Sequence, residues 1–369
     1  MEKKESKRTK LSSGVEDKLT LVESINLNKI HSFSDMTAAM SKTAFQGRTL
    51  GEGTDVLYSM VADKDCFVVM TLAGAMTVAK MGLIITEMID RGMVNAIVST
   101  GALIAHGFIE GAGFKHFKYE QDMNDRELYL KGYNRVYDTI ELEKNLDDAE
   151  LITRKVFARI DPSKPTCSYK LNWELGKYLK ETTAGRSILK SAYDKKVPVY
   201  IPAFTDSEMG IDFNVFNRNM RLQGKPTLIY DPFIDLEHYT ETMNMQKKIG
   251  IFTIGGGVPR NWAQQIGPTL DIISKRVGVG GGFKRFNYAV RVCPEPAHWG
   301  GLSGCTYTEG VSWGKIVPKA EGGRWAEVLV DATVAWPLMV KSVLERMEKN
   351  KMDVNKKFRY HSEEKAASN

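Results

Sequence analysis

The chain has 369 residues, which is enough for one large α/β domain or two smaller ones, and we favour one domain. Its formal net charge is +6, but much of the positive charge lies in residues 3–10 and 349–359, so the body is close to neutral. This distribution gives no case for a nucleic-acid-binding face. The N-terminus lacks an apolar signal segment and no run approaches about 18 apolar residues, so we expect a cytoplasmic protein without a membrane span.

The cysteines and histidines do not form a recognisable motif. The four cysteines lack CxxC spacing, which fits reduced thiols. The six histidines include no HExxH spacing, and the two that share a segment, His106 and His116, are ten positions apart. The sequence therefore predicts no metal site.

Six short apolar runs, each followed by small residues and mostly by a helical pattern, predict buried strands. They cover residues 66–70, 94–99, 197–202, 250–254, 288–292 and 326–330. Between the first two runs, apolar residues at helical spacing predict a helix over 78–90. Together these elements predict an α/β fold with a doubly wound, mostly parallel, Rossmann-like sheet. In such a sheet, ligands bind beyond the carboxyl ends of the strands.

Composition divides the chain into three parts. Residues 1–28 form a basic tail that we expect to be flexible, residues 29–347 form a single domain, and residues 348–369 form a polar tail that we expect to fray.

The middle of the domain, residues 115–190, is charged and has a helical pattern. Leu142, Leu146 and Leu151 are spaced roughly as one apolar face. We interpret this segment as helical packing or an oligomer contact.

The most informative segment surrounds Lys315, which follows Trp313 and a lone carboxylate, Glu309. An amine held near an aromatic wall, away from bulk water, has a lowered pKa and can attack a carbonyl or imine carbon. A surface lysine after a turn is the ordinary alternative. The whole string, with the glycines upstream and Asp331 downstream, favours the reactive lysine.

Gly255, Gly256 and Gly257 follow an apolar strand. Glycines at this point allow a close backbone approach and leave N–H groups for phosphate oxygens at the start of a helix, which suits a dinucleotide pyrophosphate. The full GxGxxG spacing is missing, so on pattern alone a tight turn between strand and helix is the more common interpretation.

Residues 254–258, 309–316 and 331–332 resemble the deoxyhypusine synthase family in order and spacing. Weaker matches lie at 71–75, 98–102 and 199–210, so that the resemblance extends over roughly residues 29–347.

The resemblance implies a bound NAD. The residues that match its binding positions are Gly74, Ala75, Thr77, Thr100, Gly101, Ala102, Asp206, Gly255, Gly256, Asp331 and Ala332. The two aspartates could accept hydrogen bonds from ribose hydroxyls. A helix N-cap is the more common role of an aspartate just after a strand.

The resemblance also implies the reaction. In this family a hydride passes from a polyamine carbon to NAD, a lysine captures the resulting butylimine and hands it to an amine acceptor, and the hydride returns. Lys315 matches the lysine that carries the aminobutyl group, Glu309 a carboxylate that binds an amine terminus, and Trp313 a wall that packs on the alkyl chain. A cationic substrate needs further acids, and Glu208 and Asp212 are available.

Several positions depart from the family pattern. Asn261 replaces the histidine of the catalytic site, and His106 replaces an acidic residue. Trp299, Leu302 and Ile211 also stand where the family has acids. Carboxylates that would grip the cofactor and the far end of spermidine are thus partly missing.

Three functions follow from these matches and departures. The first is an NAD-dependent aminobutyl transferase that modifies a lysine of the translation factor 5A precursor. The second is a homospermidine synthase-like enzyme with a free diamine as acceptor. The third is an inactive NAD-binding subunit that supports an active paralogue, although such a subunit would not need Lys315. We expect a homotetramer with active sites at the tight dimer interface.

Overall fold

The computed structural model describes residues 12–279, 282–352, 356 and 358–361. The strands are β1 (Cys66–Leu72), β2 (Ala96–Ser99), β3 (Phe117–Lys118), β4 (Tyr133–Val136), β5 (Thr139–Leu142), β6 (Val199–Tyr200), β7 (Lys248–Ile254), β8 (Phe286–Val292) and β9 (Arg324–Val328). The α-helices are α1 (Phe33–Met40), α2 (Phe45–Ala62), α3 (Gly82–Asp90), α4 (Gly101–Gly111), α5 (Asp125–Leu130), α6 (Glu143–Phe157), α7 (Ser168–Thr182), α8 (Ile188–Lys195), α9 (Glu208–Leu222), α10 (Pro232–Asn244), α11 (Gly257–Gln264), α12 (Ile266–Val277), α13 (Tyr307–Ser312) and α14 (Ala332–Lys349). Among these described residues, no helix is both long enough and apolar enough to cross a membrane.

Six strands form a parallel sheet in the order β6-β2-β1-β7-β8-β9. All of β1 is buried, because helices cover both faces of the sheet, and this explains its continuous apolar run. Val68 and Met70 of β1 pack into one core, together with α4, α9 and α14, on what we call the first face. Phe67 and Val69 pack into a second core with α10 to α13, on the second face. The predicted doubly wound α/β fold is confirmed.

The strand order reverses between β1 and β7, the two central strands. Strands β2 and β6 extend the sheet on one side of this point, and β8 and β9 extend it on the other. In doubly wound sheets the crevice at such a switch point is where ligands bind. This places the expected ligand site next to the residues that follow β1 and β7.

The predicted helix over 78–90 begins later than expected, at Gly82. The residues before it form a turn, in which Lys80 adopts a φ of 63°. The hydroxyl of Thr77 donates a hydrogen bond to the carbonyl oxygen of Leu103 at 2.8 Å and holds this turn against α4.

The middle segment is not helical throughout. Strands β3, β5 and β4 form a small antiparallel sheet between α4 and α6. The leucine face predicted there is also wrong, since Leu142 lies in β5 and Leu151 is 47% exposed. Helix α6 instead buries Asn145, Ala149 and Thr153 with its last turn, and of the three leucines Leu146 packs, partly buried, against the first core.

The C-terminal segment also differs from expectation. Phe358 and Tyr360 contact Phe67 with ring centroids 5.2 and 5.7 Å away, and Tyr360 donates a hydrogen bond to the carbonyl oxygen of Asn95 at 3.1 Å. Residues 358–361 are therefore packed on the second face and not frayed. At the other end, residues 1–11 of the predicted basic tail lie outside the described residues.

Candidate active site

The small residues after β1, β2 and β7 meet at the switch point. The amide of Thr100 donates to the carbonyl oxygen of Leu72 at 3.1 Å, and its hydroxyl donates to that of Gly74 at 2.7 Å. On the other side, the amide of Ala73 donates to the carbonyl oxygen of Ile254 at 3.0 Å. The structure thus brings the loop at Gly74, the start of α4 and the glycine turn after β7 to one edge of the sheet.

Two of the predicted cofactor-binding glycines are required by close packing. A Cβ at Gly256 would lie 1.9 Å from the carbonyl oxygen of Ser303, and a Cβ at Gly101 would lie 2.3 Å from Cβ of Ser207. Gly255 has a φ of 81°, in the left-handed region that favours glycine. These glycines therefore let neighbouring segments of the chain pack directly against the backbone at the switch point.

The other small residues of the predicted set have different surroundings. Ala75 lies in the turn after β1, and Ala102 lies in the first turn of α4. Ala332 begins α14 and is buried. Thr77 is fully buried and already bonded to α4, so its side chain serves the fold.

The two predicted aspartates have different roles in the fold. Asp331 is the N-cap of α14 and accepts hydrogen bonds from the amide and hydroxyl of Thr333 at 2.7 and 2.6 Å, which lower the pKa of its carboxyl. Asp206 is exposed, and the neighbouring Ser207 caps α9 instead. The strands before them, β9 and β6, are opposite edges of the sheet, five steps of about 4.8 Å apart.

Lys315 lies on the second face, next to the beginning of β8. Its carbonyl oxygen accepts a hydrogen bond from the amide of Phe286 at 2.9 Å, and Gly314, with a φ of 67°, makes the turn that precedes it. Its Nζ donates to Oδ1 of Asn261 at 3.2 Å and lies 5.9 Å from the ring centroid of Trp313. The motif lysine, its tryptophan and the residue that replaces the family's histidine are thus brought together.

Burial lowers the pKa of the Lys315 ammonium, and the positive charge of Arg260 lowers it further, while Cys305 and Glu309 act in the opposite direction. A lowered pKa increases the fraction of neutral amine, which is the nucleophilic form. This is the property that the sequence predicted for Lys315.

Arg260 is a site residue to which sequence reasoning assigned no role. It is 2% exposed, stacks 5.0 Å above the ring of Tyr307, and donates from Nη1 to the carbonyl oxygen of Ser303 at 3.4 Å. Its Nε and Nη2 have no hydrogen-bond partner among the described residues. The sequence does place a charged residue, Arg260, directly before Asn261, but only the fold shows that Arg260 is buried.

The four predicted substrate-binding residues are not brought together within one chain. Glu309 and Trp313 are exposed on the second face, with Trp313 at 62%. Glu208 and Asp212 lie on α9, which packs on the first face. There Asp212 accepts a hydrogen bond from the hydroxyl of Thr153 at 3.1 Å, and burial raises its pKa to about 6.

Residues 35–343 match the family described as deoxyhypusine synthase. The chain is 35% identical over 324 residues to the "Probable deoxyhypusine synthase 2" of Methanosarcina acetivorans, which covers 86% of this chain and 88% of that relative. This chain belongs to the deoxyhypusine synthase family. A "Deoxyhypusine synthase-like protein" of Elusimicrobium minutum is 32% identical, with 86% of this chain and 82% of the relative covered.

A crystal structure of a candidate deoxyhypusine synthase from Entamoeba histolytica shares the fold. Its TM-score is 0.57 at 15% identity, over 88% of this chain and 97% of that one. Membership in the deoxyhypusine synthase family indicates a transferase.

Proposed function

We propose that this deoxyhypusine synthase family member is an NAD-dependent aminobutyl transferase in which Lys315 carries the transferred group as an imine. The observation that carries the proposal is the half-buried Lys315 amine, with a lowered pKa, held between Asn261 and the ring of Trp313. The acceptor that we propose is a lysine of the translation factor 5A precursor, and the donor is spermidine.

The residues at the switch point fit NAD. At Gly74 the nearest atom to an added Cβ is 4.0 Å away and at Gly257 nothing lies within 4 Å, so the backbone at these two glycines is open to a ligand, and the N-terminus of α11 favours phosphate oxygens. The exposed carboxylate of Asp206 is available for a ribose hydroxyl. NAD supplies a hydride acceptor, and later the hydride donor, for the polyamine carbon.

Lys315 would do the transfer itself. Its neutral Nζ attacks the imine carbon of the oxidised polyamine, a new C–N bond forms, and the diaminopropane portion leaves as an amine after it takes up a proton. The acceptor amine then displaces Nζ in the same way, so that the lysine is regenerated. Asn261 Oδ1 accepts a hydrogen bond from Nζ and orients it, whereas an asparagine cannot take the proton as a histidine would.

The separation of acids within one chain supports a shared active site. Glu309 stands near Lys315, while Glu208 and Asp212 lie on the other face of the sheet. A cationic substrate that needs several carboxylates would obtain them from a neighbouring subunit, in the proposed homotetramer. Light scattering at micromolar concentration with NAD should give a tetramer, and a monomer would contradict this part of the proposal.

A free diamine is the second acceptor that we consider. The observation that favours it is the loop before α13, where Trp299 and Leu302 are 63% and 77% exposed at positions that the family fills with acids. Fewer acids favour substrates with fewer charges. An inactive NAD-binding partner subunit remains the third candidate, and the lowered pKa of Lys315 counts against it.

One experiment separates the three functions. The protein is incubated with NAD and labelled spermidine, first alone, then with putrescine, and then with the acceptor protein, and every product is identified by mass. Label in the acceptor protein supports the first function, and label in homospermidine supports the second. NAD binding without transfer in any arm would leave the inactive subunit and overturn the proposal.

A further inference from the structure

A cluster of ionisable side chains lies on the first face, beside the small antiparallel sheet, whereas Lys315 lies on the second face. His106 on α4, His116 just before β3 and Glu141 on β5 converge there, and the exposed fractions of their side chains are 10%, 0% and 1%. One nitrogen of each histidine and one carboxylate oxygen lie within 4.8 Å of one another. No spacing in the sequence indicates this cluster, because the two histidines come together only where the chain folds back after α4.

The donor atoms have a spacing close to that of a metal site. Nδ1 of His106 lies 3.4 Å from Oε2 of Glu141, and Nε2 of His116 contacts the same oxygen. Ligands about 2.0–2.1 Å from a tetrahedral zinc ion lie roughly 3.3–3.5 Å from each other. A small outward movement of His116 would therefore admit an ion between the three groups.

A second observation points to a ligand at this position. Nε2 of His116 is buried and makes no hydrogen bond of acceptable geometry among the described residues. This nitrogen faces Oε2 of Glu141 without the geometry of a hydrogen bond, so its hydrogen-bonding capacity is poorly used, and coordination to an ion would use it better. Rings 5.9 Å apart bring His106 and His116 close enough to share one ion.

The surrounding contacts resemble the outer shell of a metal site. Glu208 Oε1 lies 3.9 Å from Nε2 of His106, on the side of the ring away from Glu141, and favours a proton on that nitrogen. This leaves Nδ1 free as a ligand. Asn145 Nδ2 donates to the other oxygen of Glu141 at 2.7 Å and orients the carboxylate.

We propose that His106 Nδ1, His116 Nε2 and Glu141 Oε2 bind a divalent transition metal ion of the zinc type, with a fourth position open to water. Two imidazoles and one carboxylate are donors that zinc accepts. The ion would join α4 to the β3-β5-β4 sheet, next to Glu208, and within one chain it would lie on the opposite face of the large sheet from Lys315.

The competing interpretation is a cluster held by protons alone. Lys80 Nζ lies 2.8 Å from Nδ1 of His116 and can donate to it, which leaves the proton on Nε2, facing Glu141. In the metal-bound form that proton moves to Nδ1, and Lys80 keeps its ion pair with Glu110, whose oxygen lies 3.2 Å away. Lys80 thus opposes metal binding, and removal of its charge should strengthen binding.

The test uses the full chain after treatment with a chelator. We expect calorimetry to give one zinc ion per chain, and a cobalt(II) titration to give the visible absorption of a four-coordinate site. His116→Gln and Glu141→Gln should each weaken zinc binding at least about tenfold. His298→Gln, a matched change at an exposed histidine, should have no effect.

Lys80→Asn provides a variant that should gain affinity, and asparagine tolerates the left-handed backbone at this position. Circular dichroism checks that each variant is folded. If the variants of the metal ligands do not fold, the higher zinc affinity expected of Lys80→Asn still tests the proposal. Absence of saturable zinc binding by the wild type would overturn the proposal. Equal zinc affinity of the wild type, Glu141→Gln and Lys80→Asn would also overturn it.

Discussion

The surroundings of Lys315 and the His106, His116 and Glu141 cluster use similar groups in opposite ways. Lys315 has one hydrogen bond from Nζ within the part of the chain that the structure describes, and the ring near it is largely exposed. The cluster is enclosed, and each of its side chains contacts at least one other ionisable group. A weakly held amine at an open edge can meet a substrate, whereas enclosed groups with fixed neighbours suit a bound ion. Burial and partner number, more than residue type, separate the two regions.

The largest expected effect tests whether Lys315 is the reactive amine. Lys315→Arg should abolish the adduct that borohydride traps from wild type with NAD and polyamine, because a guanidinium cannot form the imine. Transfer activity should fall at least about a thousandfold, as it does when other enzymes lose a covalent nucleophile. Mass analysis of the trapped protein measures the adduct.

Lys319→Arg is the matched control. Lys319 also lies near an aromatic ring, with Nζ 5.2 Å from the ring centroid of Trp325, but it is exposed. Its variant should keep the wild-type adduct. An equal adduct in Lys315→Arg would show that another residue carries the group.

The second prediction concerns a substitution that should disturb the Lys315 region and leave the histidine cluster intact. Gly256→Ala places a Cβ 1.9 Å from the carbonyl oxygen of Ser303, so the loop before α13 must move. We expect NAD affinity to fall and the free energy of unfolding to drop by about 1–3 kcal/mol. Calorimetry and chemical denaturation measure the two effects.

Gly185→Ala controls for the loss of glycine, because its Cβ would meet nothing within 4 Å. It should change the free energy of unfolding by less than about 0.5 kcal/mol. If Gly256→Ala also weakens zinc binding, the two regions are not independent.

The third prediction concerns pH on the first face. The pKa of Asp212 is about 6 in the folded protein against an ordinary value of 3.8, so the folded state holds its proton more tightly than the unfolded state. The stability from this proton is present below about pH 4 and is lost as the pH rises through 6. Because Asp212 is partly exposed and solvent screens it, only part of this shift should appear as stability, so Asp212→Asn should raise the free energy of unfolding at pH 8 by about 1–2 kcal/mol and change it little at pH 4.

Denaturation at the two pH values measures this difference. Asp147→Asn, at an exposed position on α6, is the control and should show no such pH dependence. A lower stability of Asp212→Asn at pH 8 would mean that the carboxylate is stabilised by a partner, such as a cation of a neighbouring subunit.

The smallest expected effect concerns how Glu309, near Lys315, binds a positively charged substrate. Glu309 is exposed, so Glu309→Gln should weaken spermidine binding by only about two- to fivefold, the range of an exposed ion pair. We also expect wild type to bind spermidine more weakly than putrescine or agmatine, because acids are missing near Trp299.

Calorimetry with NAD present compares these amines, and Glu120→Gln, an exposed carboxylate in the β3-β5-β4 region, is the control. Tightest binding of spermidine, with no change in Glu309→Gln, would contradict both expectations. The same variant should lower the pKa of Lys315 further, since Glu309 raises it.

The local pattern of the sequence determined the strands and the motif around Lys315. Continuous apolar runs report burial on both sides of a strand, which is why β1 and β7 could be predicted without any contact information. The order and spacing of 254–258, 309–316 and 331–332 likewise sufficed for the family, because a site built at strand ends keeps its residues in short segments.

Only the tertiary structure decided which of these residues meet. Glu208 and Asp212 follow Asp206 closely in sequence, yet α9 carries them to the first face, away from Lys315. Arg260 became a neighbour of Lys315, and His116 a neighbour of His106, through backbone turns that no spacing rule encodes. The physical reason is that hydrophobic periodicity reports how much of a segment is buried, whereas the partners of a buried charge depend on the chain path between distant segments.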